Sequence, residues 1–135
     1  MAPGSWQQHI ELVRAKGLLA KELYVIFTTP VGALDTLDAL LPAHLAYQKD
    51  LEARGITFAA GPFADDKGGE WSGEGMIIVR AASLAEAHAI AADDPMHRSG
   101  VRTFRMDLRG AGAGAALAVK PYHGGCSGDL AAVVR

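Results

Sequence analysis

Apolar residues along this chain recur with two different periods, and the switches between them outline its elements. Trp6, Ile10 and Val13 repeat at helical spacing, and Ser5 followed by Gln8 has the form of a capping box. A helix is therefore predicted from Trp6 to Leu19, with Gly17 weakening its last turn. Glu22–Thr28 is a run of β-branched and aromatic residues stopped by Pro30, which predicts a strand with apolar side chains on both faces. Pro42 stands where a first helical turn accepts proline, and Gly55 where a helix ends, so a second helix is predicted between them. Ile56–Phe63, closed by Gly61-Pro62, reads as a second strand and Gly75–Arg80 as a third. The polar, Gly-rich stretch between them, which includes Trp71, reads as a loop. Ser83 and Glu86 form a further capping box, opening a helix that ends near Asp93-Asp94-Pro95. Val101–Arg109 alternates, with Phe104, Met106 and Leu108 on one face and Thr103, Arg105, Asp107 and Arg109 on the other.

The order after the first helix is βαββαβ, a ferredoxin-like α+β unit with an antiparallel four-stranded sheet and two helices on one face. The first strand is apolar on both sides, so the other face of the sheet needs a cover. A homodimer joined through the sheet faces would supply one, and so would the N-terminal helix. Three regions are expected: an N-terminal helical extension over 1–21, the α+β domain over 22–109, and a Gly-rich tail over 110–135 that can pack on a partner subunit.

Composition narrows the function classes. Of 135 residues, half are hydrophobic and 21% are charged, which excludes a disordered chain. Thirteen Lys and Arg against fifteen Asp and Glu give a formal charge of -2, without the basic excess of a dedicated nucleic-acid binder. No apolar run approaches the ~20 residues needed to span a bilayer, and the start MAPGSWQQHIELVRAKG lacks the apolar core of a secretory signal. The expectation is a cytoplasmic protein whose partners are a small-molecule ligand and a second copy of itself, with neither nucleic acid nor membrane. A single cysteine, Cys126, offers no internal disulfide and no zinc quartet.

The topology brings two titratable groups together. Alternating chain directions put the N-terminus of the first domain helix at the same end as the C-terminus of the second. His44 lies in the first turn of the one and Asp94 at the end of the other, fifty residues on. At ~100° per residue, Leu41, His44, Leu45, Gln48 and Leu51 share an arc of roughly 120°, so His44 points inward. A helix N-terminus disfavours a cation, which suits a neutral general base. Asp94 at a helix C-terminus needs a partner, and a His44–Asp94 pair would both relieve that strain and orient the imidazole. The plainer alternative is a buried histidine bonded to backbone, with Asp94 merely stopping its helix before Pro95.

Other candidates are weaker. His97 and Arg98 follow Asp94 and are candidates for binding an anionic substrate, although a charged loop after a helix is often only solvated. Gly61 and Pro62 set the exit of the second strand and stand with His97 and Arg98 as the substrate-binding candidates. Lys67-Gly68-Gly69-Glu70 lacks the spacing of a phosphate-binding loop. Tyr122, His123 and Cys126 are scattered in the tail and make a poor metal site, while His9 and His88 read as surface or packing residues. Nothing points to a nicotinamide, flavin or metal cofactor, and no Gly-x-Ser-x-Gly nucleophile motif is present.

The string Pro42-Ala43-His44-Leu45, then Leu51–Gly55, Ala60-Gly61-Pro62-Phe63, the Ser83–Ala92 helix and Asp94-Pro95, resembles the YCII-related family. That family belongs to the dimeric α+β barrel superfamily, and the resemblance covers about residues 22–109. It implies a dimer with packed sheets and a cleft holding a His–Asp pair, here His44 and Asp94. Relatives resemble chlorohydroxyhydroquinone dehydrochlorinase and muconolactone isomerase, which implies a cofactor-independent lyase or isomerase. Two other readings stay open: a non-catalytic ligand-binding or assembly domain with a structural His–Asp pair, and a cofactor-free monooxygenase.

Overall fold

The computed structural model describes residues 4–18, 20–106 and 116–119. The elements are helix α1 (Trp6–Ala15), strand β1 (Lys21–Pro30), a 3-10 helix (Leu34–Leu37), α2 (Leu41–Ala53), β2 (Thr57–Ala64), β3 (Trp71–Val79), α3 (Leu84–Ala92), α4 (Pro95–Arg98), β4 (Arg102–Arg105) and β5 (Ala116–Val119). Strands run in the order β2-β3-β1-β4 with every pairing antiparallel, the ferredoxin-like arrangement expected from βαββαβ.

Helix α1 carries the capping box read from Ser5 and Gln8. It stops at Ala15, short of Leu19, because Gly17 takes a positive φ of 75° that ends the helical path. Ile10 is its buried residue, and Trp6 Nε1 donates to Glu22 Oε1 at 2.8 Å beside the start of β1. Ser83 caps α3 by accepting from the Glu86 amide, but the Glu86 carboxylate accepts from the Ala82 amide, one residue before the cap. The second capping box is thus only half formed.

Strands β1 and β3 are longer than their apolar runs suggested, because their polar ends still find ladder partners. Pro30 pairs opposite Arg102, and Trp71 opposite Ala64. Strand β4 is described over Arg102–Arg105, and the Asp107–Arg109 end of the expected strand lies outside the described residues. Of the Gly-rich tail, residues 116–119 pair with Lys21–Tyr24 of the chain's own β1, beside the strand half that β4 leaves open. Tyr122, His123 and Cys126 lie outside the described residues.

Both faces of the sheet are apolar. One carries Ile26, Ile77, Val79 and Met106 packed with Ala87 and Ala91 of α3. The other carries Leu23, Val25 and Ile78, bordered by the half-buried Phe27, Phe58 and Met76. Small Ala side chains let α3 approach the sheet closely, and Tyr47 braces α2 against α3 by donating its hydroxyl hydrogen to Ile90 O at 2.8 Å. None of the described helices is long and apolar enough to cross a membrane.

Candidate active site

The element that sequence reading missed decides the site. After Ala92 the chain does not simply leave its helix: Asp93 closes α3, and Asp94 becomes the N-cap of the short helix α4. Asp94 Oδ1 accepts from the Met96 amide at 2.9 Å, with Pro95 in the first position, where a missing N–H matters least. The expectation that Asp94 suffers the unfavourable field of a helix C-terminus is therefore corrected. It meets amide donors instead.

Packing of α2 on α4 brings His44 onto this carboxylate. His44 Nδ1 lies 2.7 Å from Asp94 Oδ2 and 3.0 Å from Oδ1, and Gln48 Nε2, one turn along α2, donates to Oδ2 at 2.9 Å. Asp94 is only 1% exposed and would resist ionisation on burial alone. The bonds from His44, the Met96 amide and Gln48 outweigh that and hold its carboxyl below the usual aspartate value. An ionised carboxylate only accepts, so His44 Nδ1 carries the hydrogen and donates it. In the neutral ring the lone pair then sits on Nε2, which has no hydrogen-bond partner among the described residues.

His44 and Gln48 open onto a cleft of about 730 Å³ between α2, the 3-10 helix and the sheet. Leu37, Ile77 and Met96 form much of its buried apolar lining, and Gly61 and Pro62 border it from β2. Gly73 shapes the wall beside it. Its φ is +93°, and a Cβ there would fall 2.5 Å from Leu34 Cδ2 and 2.7 Å from Pro30 Cγ. Only glycine lets the 3-10 helix settle this closely on β3.

His97 sits one layer behind the cleft. Its Nδ1 lies 2.6 Å from Ala91 O and its Nε2 2.8 Å from Thr28 Oγ1, with the ring against Phe104. Because a carbonyl only accepts, Nδ1 donates, so in the neutral ring Nε2 accepts from the Thr28 hydroxyl. Burial lowers the His97 pKa, against smaller raising effects from the Ala91 bond and Asp94. Arg98 is exposed and stands outside the cleft lining. The structure brings together His44, Asp94, Gly61 and Pro62, puts His97 in support, and leaves Arg98 apart.

Two buried polar residues of the cleft lining, Thr28 and Arg102, were not singled out from sequence. The period-two alternation of β4 held the signal. It places Arg102 on the inward face with Phe104 and Met106, where a cation is out of place unless it has a task. Among the described residues, no three His, Cys, Asp or Glu side chains gather as a metal site would need.

The YCII-related domain family model matches residues 23–106, which include α2, α3, α4, strands β2 to β4, most of β1 and the His44–Asp94 pair. The chain belongs to the YCII-related family. Comparison with curated proteins gives no match. Among solved structures, this YCII chain is similar to 5-chloro-2-hydroxyhydroquinone dehydrochlorinase from Burkholderia phenoliruptrix AC1100, in complex with 2,5-dihydroxybenzoquinone. The identity is 25%, the match covers 76% of this chain and 95% of that one, and the TM-score is 0.49.

Proposed function

We propose that this YCII protein is a cofactor-independent enzyme of lyase or isomerase type, acting on a small molecule by proton transfer at His44. The observation that carries this reading is the orientation of one ring: Nδ1 tied to the Asp94 carboxylate, Nε2 without a partner among the described residues, and the residue lining a mostly apolar cleft. A base held this way takes a proton from a substrate C–H or O–H onto Nε2, and the resulting imidazolium is stabilised by Asp94. In the elimination form, the electron pair of a broken C–H bond makes a new double bond and expels a leaving group from the next atom. In the isomerase form, the double bond shifts and His44 returns the proton at a different carbon. Gly61 and Pro62 shape the wall the substrate rests on, and His97 steadies the floor through Thr28.

The test is a turnover screen of chlorinated hydroxyquinols and muconolactones with the wild type and His44→Ala. Loss of turnover by about 10²–10⁴-fold in a variant that still folds supports the assignment. Unchanged turnover would sink it.

A structural reading has its own support, since Asp94 caps α4 and ties α2 to it. It predicts a large loss of Tm in both His44→Ala and Asp94→Ala, with no wild-type Tm response to those compounds. Oxygen uptake with a phenolic substrate would instead favour monooxygenation. The half-buried Phe27, Phe58 and Met76 on the face away from α2 and α3 support a homodimer through the sheet faces. Sedimentation as a monomer at micromolar concentration contradicts that dimer.

A further inference from the structure

Among the described residues that line the cleft, the one arginine, Arg102, is buried, and the exposed charged residues are acidic. Arg102 is 8% exposed, on a floor it shares with Thr28, Leu37, Ile77 and Met96. Its recorded hydrogen bond is a long one, from one guanidinium nitrogen to Thr28 Oγ1 at 3.3 Å. No carboxylate among the described residues forms an ion pair with it. The neighbouring Asp94 is already engaged by His44, Gln48 and the Met96 amide. A guanidinium has five N–H donors in a fixed fork, and those that Thr28 does not engage are not sealed in the protein but reach the cleft, where an acceptor can meet them.

Thr28 holds this side chain in position. Its hydroxyl hydrogen is given to His97 Nε2, so its oxygen faces Arg102 as an acceptor. The chain Arg102, Thr28, His97, Ala91 O fixes one edge of the guanidinium from behind. At the mouth, Asp35, Asp38 and Glu74 are exposed and carry the opposite charge. They raise the energy of a second negative charge left near the opening, while an anion at the floor meets Arg102 in a low-dielectric setting.

Resting on the reading of this cleft as the substrate site, we infer that Arg102 is its anion anchor. The ligand is a compact, largely apolar monoanion, a carboxylate or an acidic phenol, whose charged oxygen seats on the guanidinium below His44. Phosphate esters and nucleotides are excluded by the acidic mouth. Arg102, rather than Arg98, is the arginine that reads the substrate.

Calorimetric titration with benzoate, its neutral isostere benzamide, and phenyl phosphate tests this without any turnover. The wild type binds benzoate at least about tenfold more tightly than benzamide, and phenyl phosphate more weakly than benzoate. Arg102→Gln removes the benzoate preference and leaves benzamide within about threefold. His44→Ala keeps the preference, so failure of the catalytic reading and failure of this one give different patterns. Asp38→Asn, on the exposed rim, strengthens phenyl phosphate binding and provides an arm that does not depend on Arg102→Gln folding. Three results each overturn the inference: no benzoate preference in the wild type, a preference that survives Arg102→Gln, or phenyl phosphate as the tightest ligand.

Discussion

Strands β1 and β3 present two faces, and the same two strands build very different surfaces from alternate residues. Toward α3 and α4 they offer Ile26, Ile77 and Val79 next to Thr28, so an apolar core merges into a polar floor. On the opposite side they offer Leu23, Val25 and Ile78 ringed by Phe27, Phe58 and Met76. Two cations on that side lie over aromatic rings: Arg105 over Phe27 at 4.7 Å and Arg80 over Phe58 at 5.4 Å. A cation over a ring stays partly solvated and is not poised for a ligand. Arg102, three residues before Arg105 on β4 and so on the opposite face, is buried and lines the cleft.

The comparison is sharpest at Asp94. Asp94→Asn retains a residue type that can cap a helix but removes the carboxylate that, in the proposed reaction, stabilises the imidazolium of His44. Turnover is expected to fall by about 10²–10⁴-fold, with a smaller loss of Tm than in Asp94→Ala. Asp94→Ala adds a loss of stability of about 1.5–3 kcal/mol, since the donors on His44, Gln48 and Met96 lose a charged acceptor. Chemical denaturation of the two variants beside a turnover assay separates these effects. Equal Tm losses in both would make the pair structural.

Core packing differs between the faces as well. Ile26→Ala, beneath the helices, is expected to cost about 2–5 kcal/mol. Ile78→Ala on the other face is expected to cost no more than about 2 kcal/mol, because the half-buried Phe58 and Met76 beside it are free to move into the space. Equal losses in urea titrations would mean that both faces are packed alike.

Acid should act through the helix face. Burial depresses the His97 pKa, so below the ordinary value of 6.5 the unfolded chain takes up a proton that the folded chain resists. The stability due to His97 is fully present above that value and lost as pH falls below it. Asp94 behaves the same way at lower pH: its depressed pKa contributes stability above 3.8 that disappears as pH falls through the folded value. His97→Gln, which can still donate to Ala91 O and accept from Thr28, is expected to flatten the first decline in a Tm series from pH 7 to pH 5. A variant as acid-sensitive as the wild type would remove His97 from this account.

The smallest effect belongs to the open face. Arg105→Gln is expected to cost about 0.5–1 kcal/mol through loss of its contact with Phe27. A larger loss would show that this face is more closely packed than its exposure suggests.

Periodicity and punctuation were enough to order the elements, because Pro42, Gly55, Ser83 and Pro95 act locally on the backbone. Order gave the juxtaposition of His44 and Asp94, since βαββαβ alternates chain direction and brings those two helix ends together. What sequence could not supply was the local path after Ala92. Four residues of helix α4 convert Asp94 from a helix end into a cap, through an amide only the folded chain presents. Gln48 as a second donor, Thr28 as a relay and Arg102 as a floor cation all depend on side chains from different strands and helices meeting at hydrogen-bond range. Local propensity sets where a helix or strand begins and ends, and so it determined the framework and the pair. Burial, cleft shape and the partner each charge finds are properties of contacts distant in sequence, and only the tertiary structure decided those.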